Sequence, residues 1–245
     1  MQMLKLMKYE WMNRWKIFLG GLIICILLNI DLVSKIMNQN RGTMFSAILL
    51  LIVFGMGIVL AVDHIIRMYK SLFTEDGQLF FTTPVSGYEI LGAKITNIVL
   101  ECLGIVLITG IMGFVDYKVV VNKIPEMKII SNLPPDFVLN IMKVLILMLL
   151  GYITLILMIY LSMVLAKSIF SAIKYGRLLS FIFFILISKI VGTITSWLGS
   201  FTDSSYLLAN GIDFTIPNTS FLMSIGIIAI VFTVTGYLLD RKINL

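Results

Sequence analysis

Apolar residues along this chain fall in long unbroken runs rather than in alternating or strictly amphipathic patterns. A helix needs roughly 20 mostly apolar residues to cross a hydrocarbon core of about 30 Å. Six runs approach that length, at approximately 16–34, 43–62, 94–115, 137–166, 178–199 and 219–239. The first is the weakest, because Asn29 and Asp31 shorten its apolar stretch. The pattern predicts an all-α polytopic membrane protein with six transmembrane helices in a single domain, 1–245.

The polar connections carry the orientation. Lysine and arginine are costly to translocate and are attracted to the cytoplasmic leaflet. On one side of a six-span arrangement stand Lys5, Lys8, Arg14, Lys16, Arg67, Lys70, Lys94, Lys167, Lys174, Arg177, Arg241 and Lys242. Lys35, Arg41, Lys118, Lys123 and Lys128 fall on the other, diluted by Asp31, Asp116, Glu126 and Asp136. Both termini are therefore expected in the cytoplasm, in a multi-pass protein of the cytoplasmic membrane. Residues 1–15 mix basic and apolar side chains with Trp11 and Trp15, which predicts an interfacial helix in the headgroup layer before the chain turns inward. The basic start has the charge order of a signal peptide, yet no small-x-small cleavage site follows before Asp31, so the first span is read as uncleaved. The segment 206–209 is a candidate for dipping back toward the membrane.

Composition agrees with the pattern and narrows the chemistry. Of 245 residues, 59% are apolar and 13% charged, with a mean hydropathy of +1.03; soluble domains carry about 25% charged residues. The net charge of +6 does not point to nucleic acid, because the basic residues sit between apolar runs rather than in a stripe with aromatics. A hydrolytic membrane enzyme needs a positioned nucleophile and base, or paired metal ligands. The one histidine, His64, follows Asp63 at the end of the second run and reads as structural. No H-E-x-x-H, G-x-S-x-G, C-x-x-C or phosphate-cradling G-x-x-x-x-G-K pattern occurs, so no catalytic, metal or cofactor residue is assigned. ATP and its magnesium, if used, bind another polypeptide. Cys25 and Cys102 lie in apolar runs and read as packing residues.

Two charges fall deep in the spans. Glu101 lies about two turns into the third and Lys189 near the middle of the fifth. Such groups cost about 2.5–3.5 kcal/mol at mid-bilayer on insertion scales, so the pair is expected either to clasp each other or to line a translocation path. Lys143, near a span end, can extend its ammonium to the headgroups. Gly55, Gly57, Gly104, Gly110 and Gly113 are read as sites of close helix packing.

The least generic segment is the connection 69–92 between the second and third runs. Glu75, Asp76 and Gly77 form a polar break, Leu79, Phe80 and Phe81 an apolar patch, and Pro84 a stop. Ser86 with Glu89 makes an S-x-x-E capping box at the start of the next helix. An apolar patch flanked by charges and caps reads as a docking surface, or as a helix lying on the membrane. The pattern E-D-G-x-L-x-x-x-x-P-V-S-x-x-E-I-L-x-x-K from Glu75 to Lys94 resembles the first cytoplasmic loop of type-2 ATP-binding-cassette exporter permeases. In that family a similar acidic-Gly-x-Leu stretch forms the coupling helix. Gln78 stands where threonine is common, and Gly87 and Tyr88 replace the usual basic pair.

The resemblance implies a permease working with two ATPase subunits and a second permease copy, as homodimer or related heterodimer, in a bacterial plasma membrane. It implies coupling contacts through Glu75, Asp76, Gly77, Leu79, Phe80, Phe81 and Pro84. The chain also resembles permeases of Gram-positive exporters of antimicrobial or cytolytic peptides, which implies an amphipathic peptide cargo, with drugs or lipids as alternatives. Competing readings are an immunity or sensing permease of the same fold, a membrane scaffold and a membrane enzyme.

Overall fold

The computed structural model describes residues 2–39, 43–73, 86–123, 135–169, 176–200 and 218–242. All of these except Ser86 are helical, and the six helices are α1 (Gln2–Gln39), α2 (Thr43–Phe73), α3 (Gly87–Lys123), α4 (Pro135–Ile169), α5 (Gly176–Ser200) and α6 (Asn218–Lys242). Each contains one of the six apolar runs. Among the described residues, four stretches are long and apolar enough to cross a membrane: Gly87–Asp116, Met142–Ile169, Leu178–Leu198 and Asn218–Arg241. The chain is thus a membrane-embedded helical protein, since a helix satisfies every interior backbone amide and carbonyl without help from water. Within α1 the apolar part is the shorter Phe18–Asp31.

The N-terminal segment departs from its expected form. Residues 1–15 were expected to lie apart as an interfacial helix before a turn, whereas α1 runs unbroken from Gln2 to Gln39. No proline interrupts this stretch, so nothing breaks the i→i−4 hydrogen-bond ladder. At a rise of about 1.5 Å per residue, 38 residues make a rod of about 57 Å, well beyond the hydrocarbon thickness. Trp11 and Phe18 approach within the rod, with ring centroids 6.0 Å apart.

The chain divides into two compact units, and the division falls inside α2 and α3. The first comprises residues 3–62 and 96–133. Here α1 packs on α2 through Cys25, whose thiol donates to Met56 Sδ at 3.5 Å, and through Gly21 beside Met56. It meets α3 at two levels. Phe18 lies over Gly104, where an added Cβ would stand 3.1 Å from the ring, and Asn29 Nδ2 donates to both carboxylate oxygens of Asp116 at 3.1 and 2.9 Å. Both contacts advance in the same sense along the two helices, so α1 and α3 run parallel.

Asp116 had been expected in an outer loop, diluting its basic charge. It lies inside α3, which continues to Lys123, and is only 4% exposed. Asn29, which interrupts the first apolar run, and Asp116 are therefore partners. Buried polar groups in lipid need such partners because no solvent takes their place.

The second unit holds residues 63–95 and 134–245. Its central helix is α4, which packs against both α5 and α6. Ile156, Leu157, Tyr160 and Val164 of α4 are fully buried, and Leu239 of α6 lies among the most buried side chains. Buried hydroxyls are satisfied within their own helices: Ser162 donates to the Ile159 carbonyl, Ser180 to Gly176 and Thr235 to Val231. This bonding lets small polar residues pack in an apolar interior.

The Asn29–Asp116 pair yields a prediction. Asn29→Leu leaves the buried carboxylate without its amide donor and should lower stability by about 1–3 kcal/mol. Asn29→Leu combined with Asp116→Leu should recover most of the loss, since replacing both partners with apolar groups is nearly neutral. Reversible unfolding in detergent measures both variants.

Candidate coupling site at the base of the 74–85 segment

The residues expected to contact a partner, Glu75, Asp76, Gly77, Leu79, Phe80, Phe81 and Pro84, lie outside the described residues. Their two flanks are described, and both are anchored within the second unit.

The leading flank is the end of α2. Tyr69 and Phe73 stack there with ring centroids 4.8 Å apart, and the Lys167 ammonium of α4 lies 5.7 Å from the Phe73 ring centre. Gly176 opens α5 directly against Phe73: a Cβ at that glycine would sit 2.6 Å from the ring. Only a residue without a side chain allows the α5 N-terminus to come so close. One turn earlier, Arg67 Nε bridges both oxygens of Asp63 at 3.0 Å, and His64 beside it is 2% exposed.

The trailing flank is the start of α3. The Ser86 hydroxyl accepts the Glu89 amide at 3.2 Å, Glu89 Oε2 accepts the Ser86 amide at 3.4 Å, and the Ile90 amide bonds the Ser86 carbonyl at 3.1 Å. This is the capping box read from S-x-x-E, and it satisfies amide donors that a helix start leaves without intrahelical acceptors. A further donor, the Gly87 amide, bonds Asp240 Oδ1 of α6 at 2.9 Å.

Asp240 stands in the last turn of α6, the end where the helix dipole disfavours a carboxylate. Its acceptor serves the start of α3, where the dipole favours it. The contact is close on both sides. A Cβ at Gly87 would meet the Asp240 amide nitrogen at 2.7 Å and Leu239 Cβ at 2.7 Å, and a Cβ at Gly236 would meet the Tyr88 ring at 2.4 Å. Tyr88 also faces Phe232, with ring centroids 6.4 Å apart.

Gly87 and Tyr88, the two departures from the usual basic pair, thus form this junction: one lets α6 approach and the other fills the notch at Gly236. The glycines expected to pack helices closely behave differently. Only Gly104 among them has a close neighbour; an added Cβ at Gly55, Gly57, Gly110 or Gly113 would meet nothing within 4 Å. Gly176, Gly236 and Asp240 were not anticipated. Asp240 had a visible signal, an acid between a long apolar run and Arg241–Lys242; the two glycines had none.

The intramembrane candidates differ in burial. Glu101 of the first unit is 1% exposed, whereas Lys189 of the second is exposed on α5. Lys94, Asn97 and Glu101 are all buried and recur at helical spacing, so α3 carries a row of buried polar groups along one face. Lys143 is half-buried on α4.

No family model, curated protein or solved structure matches the chain.

The junction makes a sharp prediction. Gly236→Ala drives a methyl into the Tyr88 ring and should destabilise the second unit, and Tyr88→Ala should partly rescue it. The coupling between the two changes should fall at about 0.5–3 kcal/mol, as for residues in direct contact. Unfolding of the two single variants and the double variant closes the cycle.

Proposed function

We propose that this chain is the transmembrane subunit of an ATP-driven exporter of the type-2 ATP-binding-cassette kind, coupling hydrolysis by separate ATPase subunits to export of amphipathic peptides or other hydrophobic cargo. The observation that carries the reading is the anchoring of both flanks of the 74–85 segment within one helical unit. Phe73 is wedged between the end of α4 and the start of α5, and Gly87 is bonded to the end of α6. A push on the intervening segment would reach three membrane helices at once through contacts too tight to absorb it. Packed elements of this kind switch between discrete arrangements rather than deform gradually.

Three further features support the reading. The segment carries the E-D-G-x-L and P-V-S elements that resemble a coupling loop. The end of α2 meets the end of α4 and the start of α5, and the start of α3 meets the end of α6, pairings that suit an alternating set of crossings. Lys70, Lys94, Lys167, Lys174, Arg177, Arg241 and Lys242 cluster around those same ends in the sequence, the charge bias of a cytoplasmic face. In this reading both termini are cytoplasmic, six helices span a bacterial plasma membrane, two permease chains join two ATPases, and ATP and magnesium reside in the ATPase. Leu79, Phe80 and Phe81 supply apolar contact to the ATPase, while Glu75 and Asp76 fix its orientation.

Co-purification with an ATPase and cargo-stimulated hydrolysis test this reading. Phe80→Asp combined with Phe81→Asp should leave the chain in the membrane and abolish cargo-stimulated hydrolysis and export. Transport retained at the wild-type rate contradicts it.

A further inference from the structure

The exposed side of α5 carries an ordered stripe. Ile182, Ile185, Lys189, Thr193 and Ser196 recur at three- and four-residue spacing, share one face and are all exposed. Lys189 lies nine residues before the end of the stretch Leu178–Leu198, so about 13 Å of apolar helix separate it from the nearer boundary. An ammonium at that depth and facing outward is costly unless an anion or water accompanies it. The hydroxyls make no such demand: Thr193 donates to the Lys189 carbonyl at 2.9 Å and Ser196 to the Thr193 carbonyl at 3.1 Å. Among the described residues, the charge on Lys189 is what the stripe leaves unmet.

The four membrane-crossing stretches of a second copy do not meet it; the exposed Asp31 of α1 lies outside them. Within the four membrane-crossing stretches, Glu101 and Asp116 are buried, Glu89 is engaged with Ser86, and Asp240 with Gly87. No exposed carboxylate is left there among the described residues. A two-fold contact through this stripe would also set two Lys189 side chains against each other.

We propose that the stripe is a binding site for an anionic single-chain amphiphile, its carboxylate paired with Lys189 and its apolar chain laid along Phe181, Ile182 and Ile185. The polarity sequence fits one molecule with one acidic end: Phe181 is 62% and Ile185 51% exposed on the apolar half, and the far half bears hydroxyls. Pairing with a carboxylate offsets part of the penalty that each charge bears alone, and the acyl chain takes the place that a lipid tail would otherwise hold. The site as an element of a cargo path rests on the export reading above; binding itself does not.

The test uses the full chain in zwitterionic lipid nanodiscs and a hexadecanoate carrying a mid-chain diazirine. Photolabelling, read by mass spectrometry, should concentrate on Phe181, Ile182 and Ile185. Lys189→Gln should weaken apparent affinity about tenfold, the scale of one charge-assisted hydrogen bond. Lys189→Arg should retain labelling, and the methyl ester of the probe should label without preference for α5. Equal labelling by acid and ester, or labelling unchanged in Lys189→Gln, overturns the site and leaves Lys189 as the counter-charge of a carboxylate on another polypeptide's helix. Absence of ATP-coupled export by the unaltered chain, with labelling at α5 intact, overturns the export reading alone.

Discussion

The second unit depends on one close approach, the start of α3 against the end of α6. Two helix ends meet there with opposite needs. The first turn of α3 has amides without acceptors, and the last turn of α6 has a carboxylate at the wrong pole of its own dipole. Bringing Gly87 to Asp240 at 2.9 Å answers both. The contact forms only because Gly87 and Gly236 have no Cβ, and Tyr88 then fills the space that Gly236 leaves. Gly87 is buried, and a buried helix end that lacked such an arrangement would carry its polar groups uncompensated.

The same logic recurs wherever a polar residue enters the apolar interior. Asn29 and Asp116 find each other across α1 and α3, and serine and threonine hydroxyls bond the carbonyl one turn back. Lys189 is the instructive contrast, because α5 leaves it on the outside. Polar residues in membrane helices mark either a structural partnership or a surface that receives something from outside the chain. Burial separates the two cases.

The described residues on either side of 74–85 are both held within the second unit: Phe73 lies against Gly176, and the Gly87 amide bonds Asp240. The proposed coupling role rests on these two anchors as much as on the chemistry of the segment between them.

The sequence by itself determined that the chain is helical and membrane-embedded, because runs of about 20 apolar residues have few other stable fates. It also determined where α3 starts, since the Ser86–Glu89 capping box is a local interaction written in four residues. Only the tertiary structure decided which polar residues are partners. Asn29 and Asp116 are 87 positions apart and Gly87 and Asp240 are 153 apart, and no local pattern links positions so distant. The tertiary structure also decided which glycines matter, because a glycine's role is set by what stands over its missing Cβ, and that neighbour comes from another helix.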